Sequence, residues 1–374
     1  MQRLIQPRPS CKQVVMIGTS FENTGGVAGV VNVYRRAGLF ERWPVVYLAT
    51  HGAGGNLRKL LLAMTAWSRF MRLLLRGRIA LLHAHTASNA SFWRKSMFVM
   101  PSLWLGIPVV LHIHGGGFIE FYNNRCGQLR KRVVRFVLEH SERVITLSPS
   151  WFARLQGIAP NARVVCIPNP ALIPRRQPRR NIGLIALFLG KLCRDKGVFD
   201  LLEAIAYLKN RLPGLRLSLA GDGDPLAVRT RAEILGVAGQ VELLGWVSGE
   251  AKERLLREAS VCVLPSYVEG TPMSLLEAMG AGLPSVATKV GGIPDMLTDG
   301  VEGRLVEPGD IVALAEALEQ LLTDRKAYAR MSEAALARFS SEFSADVVMP
   351  RLERLYTKFG VTPRCDIAVA EVSG

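Results

Sequence analysis

The chain has 374 residues, 49% of them hydrophobic and 21% charged, which allows two ordinary domains and excludes a disordered polymer. Its six cysteines (Cys11, Cys126, Cys166, Cys193, Cys262 and Cys365) lack paired metal-ligand spacing, so they argue against a zinc module and read as reduced thiols of a cytosolic protein. The formal charge of +16 is uneven: residues 1–170 carry +17 and residues 171–374 carry −1, so the partners expected for the first half are anionic.

Strand and helix signals alternate from the start of the chain. Gln13 to Ile17 reads as a strand, and Thr24-Gly-Gly-Val-Ala-Gly29 opens a helix running to about residue 39. The apolar run 14–18 is too short for a signal peptide and follows Pro7 and Pro9. Further strands are predicted at 45–49, 79–83, 109–113 and 143–147. Between the first and second of these, Leu60, Met64, Trp67, Met71 and Leu74 recur at helical spacing beside Arg69, Arg72 and Arg76. Such a helix either packs on its own domain or lies in a membrane interface. The stretch 97–113 is apolar, but Pro101, Gly106 and Pro108 break it into a helix and a buried strand, not a membrane span. Phe92-Trp-Arg-Lys95 and the basic run 125–135 add to the cationic character of this half.

A Pro- and Arg-rich connector follows, from Ile167-Pro-Asn-Pro170 to Pro174-Arg-Arg-Gln-Pro-Arg-Arg180. A second alternating set has strands predicted at 185–189, 216–220, 241–244, 261–264 and 285–287. The expected fold is therefore α/β: two facing Rossmann-like, doubly wound parallel-sheet domains with a central cleft at the carboxyl ends of their strands. The expected division is a basic first domain at 1–170, a linker at 171–180, a second domain at 181–343, a helix within 344–360 and a flexible tail at 361–374.

The most informative segment is Ser266-Tyr-Val-Glu-Gly-Thr-Pro-Met-Ser-Leu-Leu-Glu-Ala-Met-Gly-Ala-Gly-Leu-Pro284. Thr271 suits an N-cap and Pro272 the first helical position, which would leave the backbone N–H groups of Met273, Ser274 and Leu275 free. Free amides and the helix dipole together favour an anion. Glu269 would stand at the mouth of that site and Glu277 one to two turns inside the helix. A phosphate flanked by two carboxylates suits a diphosphate with hydroxyls on both sides, as in a nucleotide sugar. The bland alternative is a capped helix with a chance pair of acids.

With its Glu-x7-Glu spacing in these surroundings, the chain resembles the retaining glycosyltransferases of family 4, which have the two-domain GT-B architecture. The resemblance covers most of the chain and is strongest over 184–306. It implies transfer of a hexose from a UDP- or GDP-sugar with retention of configuration, without metal or other cofactor. By the same resemblance Glu269 is a catalytic residue holding the sugar, and Glu277 holds the ribose. A cleft histidine is expected in Leu111-His-Ile-His-Gly-Gly-Gly117, which selects His114 as the second catalytic residue over His112; His83 and His85 are less specific counterparts. These histidine pairs lack the carboxylate or Cys complement of a zinc site. Gly26 is placed beside the donor phosphates, and Lys191 and Lys196 are placed to neutralise the diphosphate. Lys191 stands where arginine is frequent and forgoes the bidentate fork. Backbone around Val247 falls in the base-binding stretch. The helix within 344–360 is expected to return to the first domain, as it does in the family.

The family places its acceptor on the first domain, and that domain is basic with an amphipathic helix. The expected acceptor is thus a lipid-diphosphate-linked saccharide or glycolipid of bacterial polysaccharide assembly. The expected location is cytoplasmic, peripheral on an anionic membrane surface. Two other readings compete. A sugar-nucleotide epimerase of the same fold would need no acceptor surface. The other is a basic nucleic-acid- or membrane-binding module; base stacking would need aromatics interleaved with the basic groove, and the cations here accompany an apolar helix instead.

Overall fold

The structure, a computed structural model, describes residues 12–172 and 183–364. Twelve strands are found among these residues, in two wholly parallel six-stranded sheets. The first contains β1 (Gln13–Thr19), β2 (Val45–His51), β3 (Ile79–Thr86), β4 (Val109–Ile113), β5 (Arg143–Thr146) and β6 (Val164–Cys166), in the order β2-β1-β3-β4-β5-β6. The second contains β7 (Ile185–Leu189), β8 (Arg216–Ala220), β9 (Val241–Gly245), β10 (Val261–Leu264), β11 (Ser285–Thr288) and β12 (Gly303–Val306), in the order β12-β11-β10-β7-β8-β9.

Central strands such as β4 are buried along their whole length, because helices cover both faces of each sheet. On one face of the first sheet, helices Asn56–Leu75, Ala90–Trp104 and Gln128–His140 enclose a core with Phe70, Phe98, Leu111 and Val137. On the other face, helix Gly26–Arg36 is joined by helix Ala345–Lys358, whose Val348, Leu352 and Tyr356 pack with Val14, Met16 and Val110. The last helix therefore does return to the first sheet. It crosses beside the outgoing chain: Ala171 N–H donates to the Phe343 carbonyl at 3.0 Å, and Ala345 N–H donates to the Ala171 carbonyl at 2.9 Å. Most of the connector expected at 171–180 and most of the tail expected at 361–374 lie outside the described residues.

Chain order reverses between β1 and β3 in the first sheet and between β7 and β10 in the second. Such switch points leave crevices at the carboxyl ends of the strands. Gly26 follows β1, Lys191 and Lys196 follow β7, and Glu269 follows β10, so these residues leave the sheets at the two crevices.

The amphipathic helix at Asn56–Leu75 divides its apolar stripe. Trp67, Phe70 and Leu74 pack into the core, with Trp67 edge-on to Phe98 at 5.2 Å. Leu57, Leu60, Leu61 and Met64 in its first half stay exposed. Lys95 departs from the expectation of a cationic surface at 92–95. It is turned inward and only 2% exposed.

Candidate functional site

Helix Met273–Gly280 opens one residue later than expected. Pro272 occupies the N-cap position with φ −68° and ψ 128°, and no side chain caps the helix. With ψ at 128° Pro272 is extended and is not the first helical residue, so the cap falls on it and Thr271 is not the N-cap. Thr271 is bound instead by Asn169 Nδ2, which donates to its hydroxyl at 3.0 Å and to its carbonyl at 3.2 Å. Leu275 N–H donates to the Pro272 carbonyl at 3.2 Å and is not free as predicted. The amides of Met273 and Ser274, in the first turn, remain without an acceptor four residues back in the helix.

Both carboxylates carry a lysine. Glu269, 9% exposed, accepts from Lys196 Nζ at 2.5 Å and from Ser266 Oγ at 2.9 Å. Glu277 accepts from Lys252 Nζ at 2.6 Å. Lys252 was not singled out from the sequence, since a lysine in Gly249–Glu258, a helix of alternating charges, gives no local sign of its partner 25 positions away. Lys196 also donates to the Val268 carbonyl at 3.3 Å. Lys191 stays exposed just past β7. Val247 packs against a small core with Leu187 and Leu256, while its neighbour Trp246 is largely exposed.

The first half of the chain closes on this turn. Gly29, in the first turn of helix Gly26–Arg36, approaches Met273, so the starts of two helices meet across the cleft. Around Gly26 there is open space. Thr24 Oγ1 donates to Asp222 of the second half at 3.2 Å, which gives the turn after β8 a bridging contact that its sequence did not suggest. The Glu269 carbonyl is held between two glycines. A Cβ at Gly116, after β4, or at Gly291, where φ is +58°, would collide with it. Ser150 of the first half also donates to Asp295 of the second, through its hydroxyl at 2.5 Å and its N–H at 3.2 Å.

Four histidines form a ladder along β3, β4 and the residue after it; His83, His85 and His112 are buried and His114 is partly buried. Alternate residues of a strand share a face, and His85 lies opposite His112 in the register. The rings stack, His112 on His114 at 4.1 Å and His83 on His85 at 4.4 Å between centroids. His85 Nδ1 and His114 Nε2 share a hydrogen bond of 2.8 Å, and His83 Nε2 and His112 Nδ1 one of 3.3 Å. His83 Nδ1 meets the Tyr356 hydroxyl at 2.7 Å. Burial pushes all four below the ordinary imidazole range, His83 and His114 to about 3. The Asn169 side chain acts on His114 in the opposite sense. A neutral His114 at the cleft end of the ladder can accept or donate a hydrogen bond, and its carbonyl packs against Gly270.

His83, His85 and His112 each offer a ring nitrogen within 4.8 Å of the others, the one group with metal-ligand spacing found among the described residues. Both nitrogens of His83 are already engaged, one by Tyr356 and one by His112. The donor set therefore does not favour a bound metal.

Residues 173–338 match the family described as Glycosyl transferases group 1, and residues 30–171 match Glycosyltransferase Family 4. The chain is 28% identical to the phosphatidyl-myo-inositol mannosyltransferase of Mycobacterium leprae over 318 residues, 81% of each protein. It is 36% identical over 200 residues to the exopolysaccharide phosphotransferase SCO2592 of Streptomyces coelicolor. That match covers 52% of this chain and spans only 21% of the relative's length, and the chain spans 44% of the glycogen synthase of Mycobacterium tuberculosis. Among solved structures, HepE of Anabaena in complex with UDP and glucose has a TM-score of 0.75 at 18% identity, over 93% of this chain and 100% of that one. Sucrose-phosphate synthase of Thermosynechococcus elongatus also gives 0.75, at 21% identity over 93% and 99%. At these identities the two structures show the fold, which is GT-B. The chain belongs to glycosyltransferase family 4.

Proposed function

We propose that the protein transfers a hexose, with retention, from a nucleotide-diphosphate sugar to a lipid-linked saccharide or glycolipid. The single observation carrying this reading is the pairing at one helix start of two carboxylates, each with its lysine: Glu269 with Lys196 and Glu277 with Lys252. In this reading Glu277 binds the ribose and Glu269 the sugar hydroxyls near the anomeric carbon. Lys191, Lys196 and the helix starts at Gly26 and Met273 supply positive charge to the diphosphate, so the reaction needs no metal. HepE, of similar fold, was solved with UDP and glucose, which supports a donor of this class.

The acceptor hydroxyl oxygen bonds to the anomeric carbon while the bond to the phosphate oxygen breaks. The nucleoside diphosphate leaves with that electron pair, and its departing oxygen takes the acceptor proton on the same face. His114, neutral and beside the Gly270 turn, orients hydroxyls and carries no charge in the step. The site lies inside the cell, on the inner face of a membrane. No helix among the described residues is long and apolar enough to cross one.

The test is product analysis. Purified enzyme with UDP-glucose or GDP-mannose and a lipid-linked saccharide extract should release nucleoside diphosphate, and the new bond should keep the donor's α configuration by NMR. Inversion would remove the retaining assignment. Free epimerised sugar nucleotide without transfer would favour the epimerase.

A further inference from the structure

A second group of cations lies on the first sheet, away from the donor carboxylates. Lys95 of helix Ala90–Trp104 points inward, and its ammonium donates to the Thr50 hydroxyl at the carboxyl end of β2. Thr50 in turn donates to the Gly18 carbonyl at 3.0 Å. Arg94 lies beside Lys95, and its Nε is buried without a hydrogen-bond partner. His51 closes β2 and feels the charges of Arg94, Lys59 and Lys95. None of the ion pairs among the described residues uses Arg94, Lys95, Lys59 or His51.

We propose that Lys95, Arg94 and His51, with Lys59 at the rim, form a binding site for a phosphoryl group carried by the acceptor. This rests on the reading of the first domain as the acceptor side. An ammonium has three donors, and Thr50 takes one, so donors remain for phosphate oxygens. Burial and the neighbouring Arg94 lower Lys95 to about 7, which makes the empty site costly to charge. An arriving anion removes that cost and restores the proton. A buried lysine with no carboxylate contributes little to stability, whereas it suits a ligand that brings its own negative charge.

Position supports the same ligand. The cations sit at the carboxyl edge of β2, and Lys95 also acts electrostatically on His85, the hydrogen-bond partner of His114 in the cleft. The same two helices carry exposed aliphatic side chains, Leu57, Leu60 and Met64 on the helix of Lys59 and Met97 on the helix of Lys95; each is more than half exposed. A phosphoryl site on helices that also expose aliphatic side chains fits a phosphate borne on a lipid chain, which is the source assigned here.

The experiment uses the full chain saturated with UDP, so that the donor site is filled. Glycerol 3-phosphate should raise the unfolding midpoint above that in glycerol and chloride of equal ionic strength. Arg94→Gln and Lys95→Met should bind it at least tenfold more weakly while binding UDP as the wild type does. No rise, or the same rise in both variants, would overturn the site. In a second arm, phosphatidylcholine vesicles doped with polyprenyl phosphate should co-sediment the protein, and undoped vesicles should not. Binding of glycerol 3-phosphate without vesicle capture would keep the phosphoryl site and overturn the lipid source. The UDP titration on the same samples reads the donor assignment separately.

Discussion

At the residue scale, Glu269 does two things that can be separated. Its carboxylate receives Lys196 and Ser266, and its carbonyl lies between Gly116 of the first half of the chain and Gly291 of the second. Glu269→Gln keeps the shape and removes the charge. Turnover should fall about 10²-fold, the scale of losing one preorganised electrostatic group. Affinity for UDP, which lacks the sugar, should stay unchanged. An equal loss in both would move Glu269 from the sugar to the nucleotide. Tyr356 makes a purely structural contrast. Tyr356→Phe leaves a buried imidazole nitrogen of His83 without its partner, which costs about 1–3 kcal/mol. Denaturant unfolding should show that loss with donor affinity intact.

At the element scale, much of the scaffold could be read from apolar runs. Strands β4, β7, β8 and β10 lie where expected because they are short apolar runs, buried except at the first residue of β7 and of β8. The strands β6 (Val164–Cys166) and β12 (Gly303–Val306) were not legible. Each is an edge strand of three or four residues with partly exposed side chains, so neither carries a sustained apolar signal. Glu269, Glu277, His114 and Lys196 could be named from local motifs and a family resemblance, but Lys252, the pairing of each carboxylate with its lysine and the hydrogen bonds of the ladder could not. Those contacts join residues 25 to 273 positions apart, and no local pattern encodes them. The tight seat of the Glu269 turn gives a prediction at this scale. Gly116→Ala must push the turn away from the loop after β4, and a displacement of about 1 Å can cost about 10²-fold in rate. Activity should drop on that scale while the unfolding midpoint changes little; full activity would show that the two halves need not close in this arrangement.

At the scale of the whole molecule, the histidine ladder couples the fold to pH. An unfolded histidine takes its proton near pH 6.5, whereas the four buried rings stay neutral well below that. The unfolded chain therefore binds more protons between pH 6.5 and about 3. The stability held by neutral burial is fully present above pH 6.5 and is lost as pH falls through that window. Unfolding in urea at pH 7.5, 6.5 and 5.5 should show a midpoint that is flat over the first step and falls sharply over the second. An unchanged midpoint at pH 5.5 would mean that the rings are solvated or already charged. The ladder joins β3 and β4 to the returning helix through Tyr356, so acid should loosen the contact of that helix with the first sheet.

The central claim is that the two carboxylate–lysine pairs hold a nucleotide sugar in the cleft, and calorimetric titration tests it most directly. The chain and its Glu277→Ala variant would each be titrated with UDP-glucose, GDP-mannose and the free nucleotides. The prediction is tight binding of one nucleotide class, weakened about 10- to 100-fold in the variant, the scale of a lost hydrogen bond to a charged group. Equal affinity in the two proteins would contradict the claim and reduce the acidic pair to features of an ordinary helix start.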